Sequence, residues 1–176
     1  VEVSGTLTGA DPNDTALTFE IVTQPANGTV SIVGSTVSYT SNNYFVGKDS
    51  FTFRGSNGTD NSPVAMAYVQ VEPTGVQPQG SGTESDPYLV SNVWELYWVT
   101  QNSNEWGSGK QYKQTANIDA SITQLWNSGS GITEIGTSSK KFQGVYDGAD
   151  FIIDGLYRST GSSYRGMFGY TETGAV

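Results

Sequence analysis

The fold of this chain is decided by residues 140–170, which read KKFQGVYDGADFIIDGLYRSTGSSYRGMFGY. Short apolar or aromatic groups recur every few residues in this stretch, and Gly, Asp-Gly, Asp and Ser separate them. The spacing predicts strands of two to four residues, each followed by a sharp turn. Such a chain winds from strand to strand and does not pleat back on long hairpins. The groups are Phe142, Val145-Tyr146, Phe151-Ile152-Ile153, Leu156-Tyr157 and Met167-Phe168.

Residues 1–72 show a different pattern, in which apolar and polar residues alternate. Period-two alternation is typical of strands with one buried face. Turn-forming segments separate the strands, and their spacing predicts a small β-sandwich. The alternating sets are Leu17, Phe19 and Ile21; Val30 and Ile32; Val37 and Tyr39; Phe51 and Phe53; and either Met66 and Tyr68 or Ala67, Val69 and Val71.

The composition limits the classes of function. The chain of 176 residues carries 8 Lys+Arg against 17 Asp+Glu, a formal net charge of -9. This charge repels nucleic acid and anionic membranes, so neither is an expected partner. Cys and His are absent, which excludes disulfides, thiolate metal sites and the commonest general base. No apolar run approaches the length of a membrane span. We therefore expect an all-β, acidic, extracellular protein.

The middle of the chain contains a linker and one helix. Residues 73–87 are rich in proline and glycine without an apolar pattern, which predicts a linker, either flexible or pinned against a neighbouring domain. In residues 92–103, Asn92 and Glu95 form a capping-box pattern, and Val93, Leu96, Tyr97 and Thr100 share one helical face. We predict a single capping helix here. The predicted domains are residues 1–72 and 88–176.

Residues 7–60, from LTGADPNDTALTFE to GKDSFTFRGSNGTD, resemble the cadherin-like and bacterial Ig-like repeats found in tandem in large adhesins. The markers include Asp11-Pro12, Leu17-Thr18-Phe19, Asn27-Gly28-Thr29 and Gly47-Lys48-Asp49-Ser50-Phe51. The resemblance implies an Ig-like β-sandwich. It also implies one more strand ahead of Val1, so that this chain would lack its own first strand.

Residues 80–176 resemble the right-handed parallel β-helix modules with GLUG-type repeats that occur in bacterial surface proteins and in some secreted peptidases. The markers are residues 80–88, Asn117-Ile118-Asp119, residues 142–156 and Gly166-Met167-Phe168-Gly169-Tyr170. In such folds stacked coils bury inward side chains. The resemblance implies a further coil after Val176, or a partner molecule that covers this end.

Calcium is the only cofactor that the sequence suggests. In the adhesin repeats, acidic loops at one end of the sandwich often bind calcium, and hard cations need several oxygen ligands. The family's pattern has a third acid where Thr15 stands, and a later Asp aligns with Asn57. The alternative is that Asp11 and Asp14 satisfy backbone groups of turns. The candidate metal ligands are Asp11, Asn13, Asp14, Asp49 and Asp60.

Two further sets of residues offer other chemistry. Asp147, Asp150 and Asp154 lie close in sequence, as paired carboxylates of polysaccharide-active enzymes do, but Asp147-Gly148 also fits an ordinary turn. Aromatic side chains can stack on sugar rings, although most are expected in the core. The aromatic candidates are Trp94, Trp98, Trp106, Trp126, Tyr112 and Tyr164.

The sequence therefore favours a non-enzymatic structural or adhesion segment of a bacterial surface protein. Open strand edges are templates for strand addition, so copies of the chain could join end to end into a filament. The alternative is that residues outside 1–176, in a larger surface protein, supply the missing strand and coils. Two alternatives stay open: a module that binds glycans or another surface ligand, and an accessory region of a secreted peptidase or polysaccharide-active enzyme.

Overall fold

A computed structural model describes residues 2–13, 15–159 and 166–173. The chain divides into two compact units, residues 1–72 and residues 73–176. Strands dominate the first unit, whereas the second unit combines short strands with one α-helix and short 3-10 helices among the described residues. The expectation of an all-β protein with little helix is confirmed.

The first unit consists of two antiparallel three-stranded sheets. One sheet has the order β1-β4-β3 and the other the order β2-β5-β6. Val30, Tyr39, Phe51 and Val71 are buried in this unit. The strands are β1 (Glu2–Thr6), β2 (Thr18–Thr23), β3 (Gly28–Val33), β4 (Thr36–Ser41), β5 (Gly47–Ser56) and β6 (Ala65–Val71).

The structure shows which of the two apolar faces of β6 is buried, a choice that the sequence left open. Ala67 and Val69 are half-buried and Val71 is fully buried, whereas Met66 and Tyr68 are exposed. Both sets are apolar, so the alternation alone could not choose between them. Strand β1 was not among the alternating sets, because its only large apolar residue is Val3.

The second unit is built from short parallel strands. Strands β7, β8 and β10 form one parallel sheet in the order β10-β8-β7, and β11 pairs in parallel with β9. Two isolated parallel bridges, Ile135 to Phe168 and Phe142 to Thr171, connect the segments that follow. Each of these pairings thus places a later segment of the chain in parallel beside an earlier one. The strands are β7 (Tyr88–Val90), β8 (Gln111–Gln114), β9 (Ile118–Asp119), β10 (Val145–Asp147) and β11 (Ile153–Asp154).

Three tyrosines occupy equivalent positions in successive strands of this sheet. Tyr112 lies in register with Tyr88 on one side and with Tyr146 on the other. The ring centroids are 5.4 Å and 6.2 Å apart, and all three residues are buried. Burial raises the pKa of Tyr112 and of Tyr146. This aromatic ladder is the interior of the parallel sheet.

The predicted helix is present as α1 (Val93–Gln101). The Asn92 side chain accepts hydrogen bonds from the backbone N–H groups of Trp94 and Glu95, each at 3.0 Å. The Glu95 carboxylate reaches back to the N–H of Ser91 at 2.7 Å, one residue earlier than in a standard capping box. The predicted apolar face of Val93, Leu96, Tyr97 and Thr100 is buried, together with Val99.

The proline- and glycine-rich segment is pinned against the second unit. The Leu89 N–H donates to the Gln79 carbonyl at 2.8 Å, so residue 79 covers the outer edge of β7. Gly75 passes so close to the backbone of Trp98 that a side chain there would collide with it. Gly82 approaches the Tyr88 ring in the same way. These glycines serve close packing.

A strained turn follows β10. Ala149 and Asp150 both have left-handed backbone angles, with φ of 46° and 63°, and the Phe151 N–H donates to the Gly148 carbonyl at 2.9 Å. Two consecutive positive φ angles with this bond are typical of a type I′ turn, which favours Asn and Gly. Alanine pays a steric penalty at such a position.

We expect Ala149→Gly to raise the free energy of unfolding of the second unit by about 0.5–1 kcal/mol, because relief of the steric penalty exceeds the added entropy of glycine. Ala116→Gly is the matched control, since Ala116 has no positive φ, and it should lower stability. Urea denaturation followed by tryptophan fluorescence measures both. Equal losses in the two variants would contradict the expectation.

Candidate functional site

An apolar groove runs between β1 and β6 in the first unit. Within the described residues β1 pairs only with β4, and β6 pairs only with β5. Each of the two strands therefore presents an edge of backbone N–H and C=O groups to the groove. Val3 and Gly5 line one wall, and Ala67 and Val69 line the other. The groove has a volume of about 350 Å³.

The floor of the groove belongs to the core of the first unit. Tyr39 and Phe51 line it and are only 2% and 3% exposed. Val3 lies opposite Tyr39 in the ladder between β1 and β4, so its side chain faces the same inward side. Val3 is nevertheless 41% exposed. An inward residue with this exposure shows that the groove is open above it.

The loops at one end of the first unit are joined through Asn57. Its side-chain amide Nδ2 donates to Asp11 Oδ2 at 2.8 Å. Its Oδ1 accepts from the backbone N–H groups of Thr59 and Asp60, at 2.9 Å and 2.7 Å. The hydrogen bond from Asn57 and that from the Asn13 backbone hold the pKa of Asp11 below its ordinary value. Two of the predicted metal ligands are thus linked through Asn57, Asp11 by its carboxylate and Asp60 by its backbone N–H, while the Asn13 backbone is bonded to Asp11.

Asp49 lies elsewhere and has a structural role. Its carboxylate accepts from the backbone N–H groups of Ala26, Asn27 and Ser50 and from the Tyr39 hydroxyl, at 2.9–3.2 Å. Burial acts to raise the pKa of Asp49, but these hydrogen bonds outweigh it and the pKa is lowered. Burial and the bond to Asp49 raise the pKa of Tyr39 to about 12. Asp49 ties the turn before β3 to strands β4 and β5.

Calcium binding stays a prediction. Asp14 lies outside the described residues. In the part of the chain that the structure describes, no three acidic side chains come close enough together to hold a metal ion. Asp11 and Asn13 satisfy a turn instead, because Asp11 Oδ1 accepts from the Asn13 N–H at 2.9 Å. For Asp11 this arrangement agrees with the alternative interpretation, in which Asp11 and Asp14 satisfy backbone groups of turns.

The acidic residues of the second unit also serve turns. Asp147 Oδ1 accepts from the Ala149 N–H, and Asp119 Oδ1 accepts from the Ser121 N–H, both at 2.9 Å. The bonds from Ser121 lower the pKa of Asp119. Asp154 stands in register with Asp119 on the neighbouring strand.

Most of the aromatic candidates for glycan contact are packed within the second unit. Trp106 and Trp126 are buried, with exposures of 3% and 0%. Trp94 packs on Trp126 with ring centroids 4.9 Å apart, and Trp98 packs on Tyr88 at 5.4 Å. Tyr112 belongs to the aromatic ladder, and Tyr164 lies outside the described residues. These rings stabilise the interior and form no exposed platform within the described residues.

Sequence reasoning did not find the groove or the role of Asn57. The signal for the groove was the pair of open strand edges that the resemblance to the adhesin repeats implies. The signal for Asn57 was its alignment with an acid of the adhesin repeats.

None of the helices in residues 2–13, 15–159 and 166–173 is both long and apolar enough to cross a membrane.

Comparison with known proteins agrees with the fold of the first unit. Residues 1–72 match a family model described as a bacterial Ig domain, which confirms the Ig-like part of the sequence prediction. The chain is also 30% identical over 106 residues to Halomucin of Haloquadratum walsbyi. This match covers 55% of the chain and 1% of that protein. The chain therefore spans a very small part of the length of this relative.

Proposed function

We propose that this chain is a structural or adhesive segment of an extracellular surface protein, with no enzymatic activity of its own. The bacterial Ig domain match and the similarity to Halomucin support a surface location. Neighbouring domains of the same protein, or further copies of the chain, are its partners. The function is geometric: the segment spaces and joins other domains.

In this proposal a neighbouring domain or a further copy of the chain attaches at the groove between β1 and β6, which we call the strand joint. An extended strand placed there can pair with the backbone edges while its alternate side chains enter the groove. The volume of about 350 Å³ suits two or three small apolar side chains. Burial of each valine contributes roughly 1.5–3 kcal/mol. The observation that carries the proposal is Val3, an apolar residue of β1 that faces inward and is nevertheless 41% exposed.

In this proposal the second unit is a right-handed parallel β-helix. Support comes from the parallel pairing of β7, β8 and β10, from the β9–β11 pair and from the in-register tyrosine ladder. Crossovers between parallel strands of one sheet are right-handed in nearly all proteins. A stack of coils makes a rigid spacer, because each coil buries its inward side chains against the next.

Fusion of a designed strand tests the groove. A strand of about seven residues that alternates valine and threonine is joined to the N-terminus through an Asn-Gly turn, which favours an antiparallel hairpin with β1. We expect the melting temperature of the first unit to rise, with a gain of about 2 kcal/mol in the free energy of unfolding. The same melting temperatures, measured once with calcium and once with a chelator, show whether the metal contributes to the stability of the first unit.

The matched control carries two prolines in place of threonines, because proline cannot donate to a ladder. It should leave stability unchanged. An equal gain from both strands, or no gain from either, would show that the groove does not accept a strand.

A further inference from the structure

The turn after β5 surrounds the Asn57–Gly58 peptide with a specific set of hydrogen bonds. The Asn57 carbonyl oxygen Oδ1 lies between the N–H groups of Thr59 and Asp60. The Gly58 N–H donates to the Ser56 hydroxyl at 3.2 Å. The Asn57 amide nitrogen Nδ2 is held by Asp11. Gly58 has a φ of 90° and open space where a side chain would stand.

We propose that Asn57 is a site of spontaneous deamidation assisted by this turn. The Gly58 backbone nitrogen attacks Asn57 Cγ, the Cγ–Nδ2 bond breaks, and ammonia leaves with the proton that Gly58 gave up. Water then opens the cyclic imide to give aspartate or isoaspartate. The reaction consumes one water, releases one ammonia and needs no oxidant or reductant.

Each contact helps this step in a definite way. The two N–H groups on Oδ1 stabilise the negative charge that develops on this oxygen during attack, as the donors of an oxyanion hole do. The Ser56 hydroxyl accepts the hydrogen of the attacking nitrogen, so it polarises the N–H bond. Gly58 offers no side chain that would hinder closure of the ring.

The chain contains a second Asn-Gly-Thr tripeptide in an unfavourable setting. Asn27–Gly28 precedes Thr29 at the start of β3, and Gly28 pairs with Ser41 in the β-ladder. A side chain at Gly28 would lie 2.5 Å from the Thr40 carbonyl oxygen, so the backbone there is tightly enclosed. The Asn27 N–H is held by Asp49 at 2.9 Å. Ring closure at Asn27 would disrupt the sheet.

Deamidation would change the link between the two loops. The amide that donates to the Asp11 carboxylate would become a second carboxylate, and repulsion would replace the hydrogen bond. Asp11 is ionised at neutral pH, as an ordinary aspartate is, and its hydrogen bonds lower its pKa further. The modification therefore loosens this end of the first unit as the protein ages.

The full chain is incubated in mildly alkaline buffer, folded and in concentrated urea, and peptide mass spectrometry follows both tripeptides over time. In urea, Asn27 and Asn57 should convert at similar rates because their Asn-Gly-Thr sequences are identical. In the folded chain, Asn57 should convert at least as fast as in urea, and Asn27 many times more slowly. Equal protection of both asparagines in the folded chain would overturn the proposal.

One variant tests whether the turn assists deamidation of Asn57, and another tests whether deamidation weakens the link between the loops. Ser56→Ala should slow conversion of Asn57 in the folded chain but not in urea, and an unchanged folded rate would overturn the assisted reaction. Asn57→Asp should lower the melting temperature of the first unit, whereas Asn43→Asp, in an exposed turn, should not. Equal effects of these two variants would overturn the proposed loss of the loop link.

Discussion

Replacement of Asp49 by asparagine is expected to lower the free energy of unfolding of the first unit by about 3 kcal/mol. The carboxylate accepts four hydrogen bonds and is only 7% exposed. An asparagine side chain has one acceptor oxygen, and its amide hydrogens would face backbone N–H groups. Buried donors left without an acceptor are the reason for the large loss.

The loss should depend on pH. The pKa of Asp49 is lowered in the folded state, so its stabilising contribution is fully present above the ordinary aspartate pKa of about 3.9. It is lost as the pH falls through the lowered folded-state pKa. The difference between wild type and Asp49→Asn should therefore be large near pH 7 and shrink as the pH falls below the ordinary aspartate pKa.

Scanning calorimetry measures this effect, and tryptophan fluorescence separates the two units, because all four tryptophans lie in residues 73–176. Asp60→Asn in chelator is the control, since Asp60 is exposed. Both variants replace an aspartate by an asparagine, so the comparison isolates the effect of burying and hydrogen-bonding the carboxylate. Similar melting temperatures for both would contradict the structural role of Asp49.

The second large effect is expected for Phe142→Ala in the second unit. Phe142 is fully buried, and its ring centroid lies 5.8 Å from that of Tyr112 and 5.2 Å from that of Phe168. Its backbone N–H donates to the Tyr170 carbonyl at 2.9 Å. Loss of the ring leaves a cavity in the stacked interior and should lower the free energy of unfolding by about 3–5 kcal/mol.

Urea denaturation followed by tryptophan fluorescence reports this loss directly. Phe151→Ala is the matched control, because Phe151 is 41% exposed and should lose much less. The calorimetric transition of the first unit should stay unchanged in both variants. A Phe142→Ala midpoint close to that of the control would show that the ring does not stabilise the parallel sheet.

The sequence predicted the sandwich well where packing and alternation agree. Val30 with Ile32 and Val37 with Tyr39 mark inward faces without ambiguity, whereas β6 is apolar on both sides and its register depended on tertiary contacts. The glycine-rich segment looked like a linker. Gly75 and other glycines there instead allow close packing, which depends on the position of Trp98 in a different element.

The candidate site was less accessible to sequence reasoning. The link between Asp11 and Asn57 joins residues 46 positions apart, and no local pattern shows which loop meets which. The charge of Asp49 and its place in the adhesin resemblance predict a metal ligand. Its proximity to the Tyr39 hydroxyl and to the backbone of the preceding turn could not be known before the strands were placed. Short motifs show donors and acceptors but not their partners.

Hydrogen exchange at β1 and β6 tests the proposed strand joint most directly. Backbone amides of the two strands are measured by mass spectrometry in the chain of 176 residues and in the intact protein isolated from its native surface. We expect amides at the outer edges of β1 and β6 to exchange quickly in the chain alone and to be strongly protected in the native protein, because a donated strand pairs with them. Equal, rapid exchange in both samples would contradict the joint.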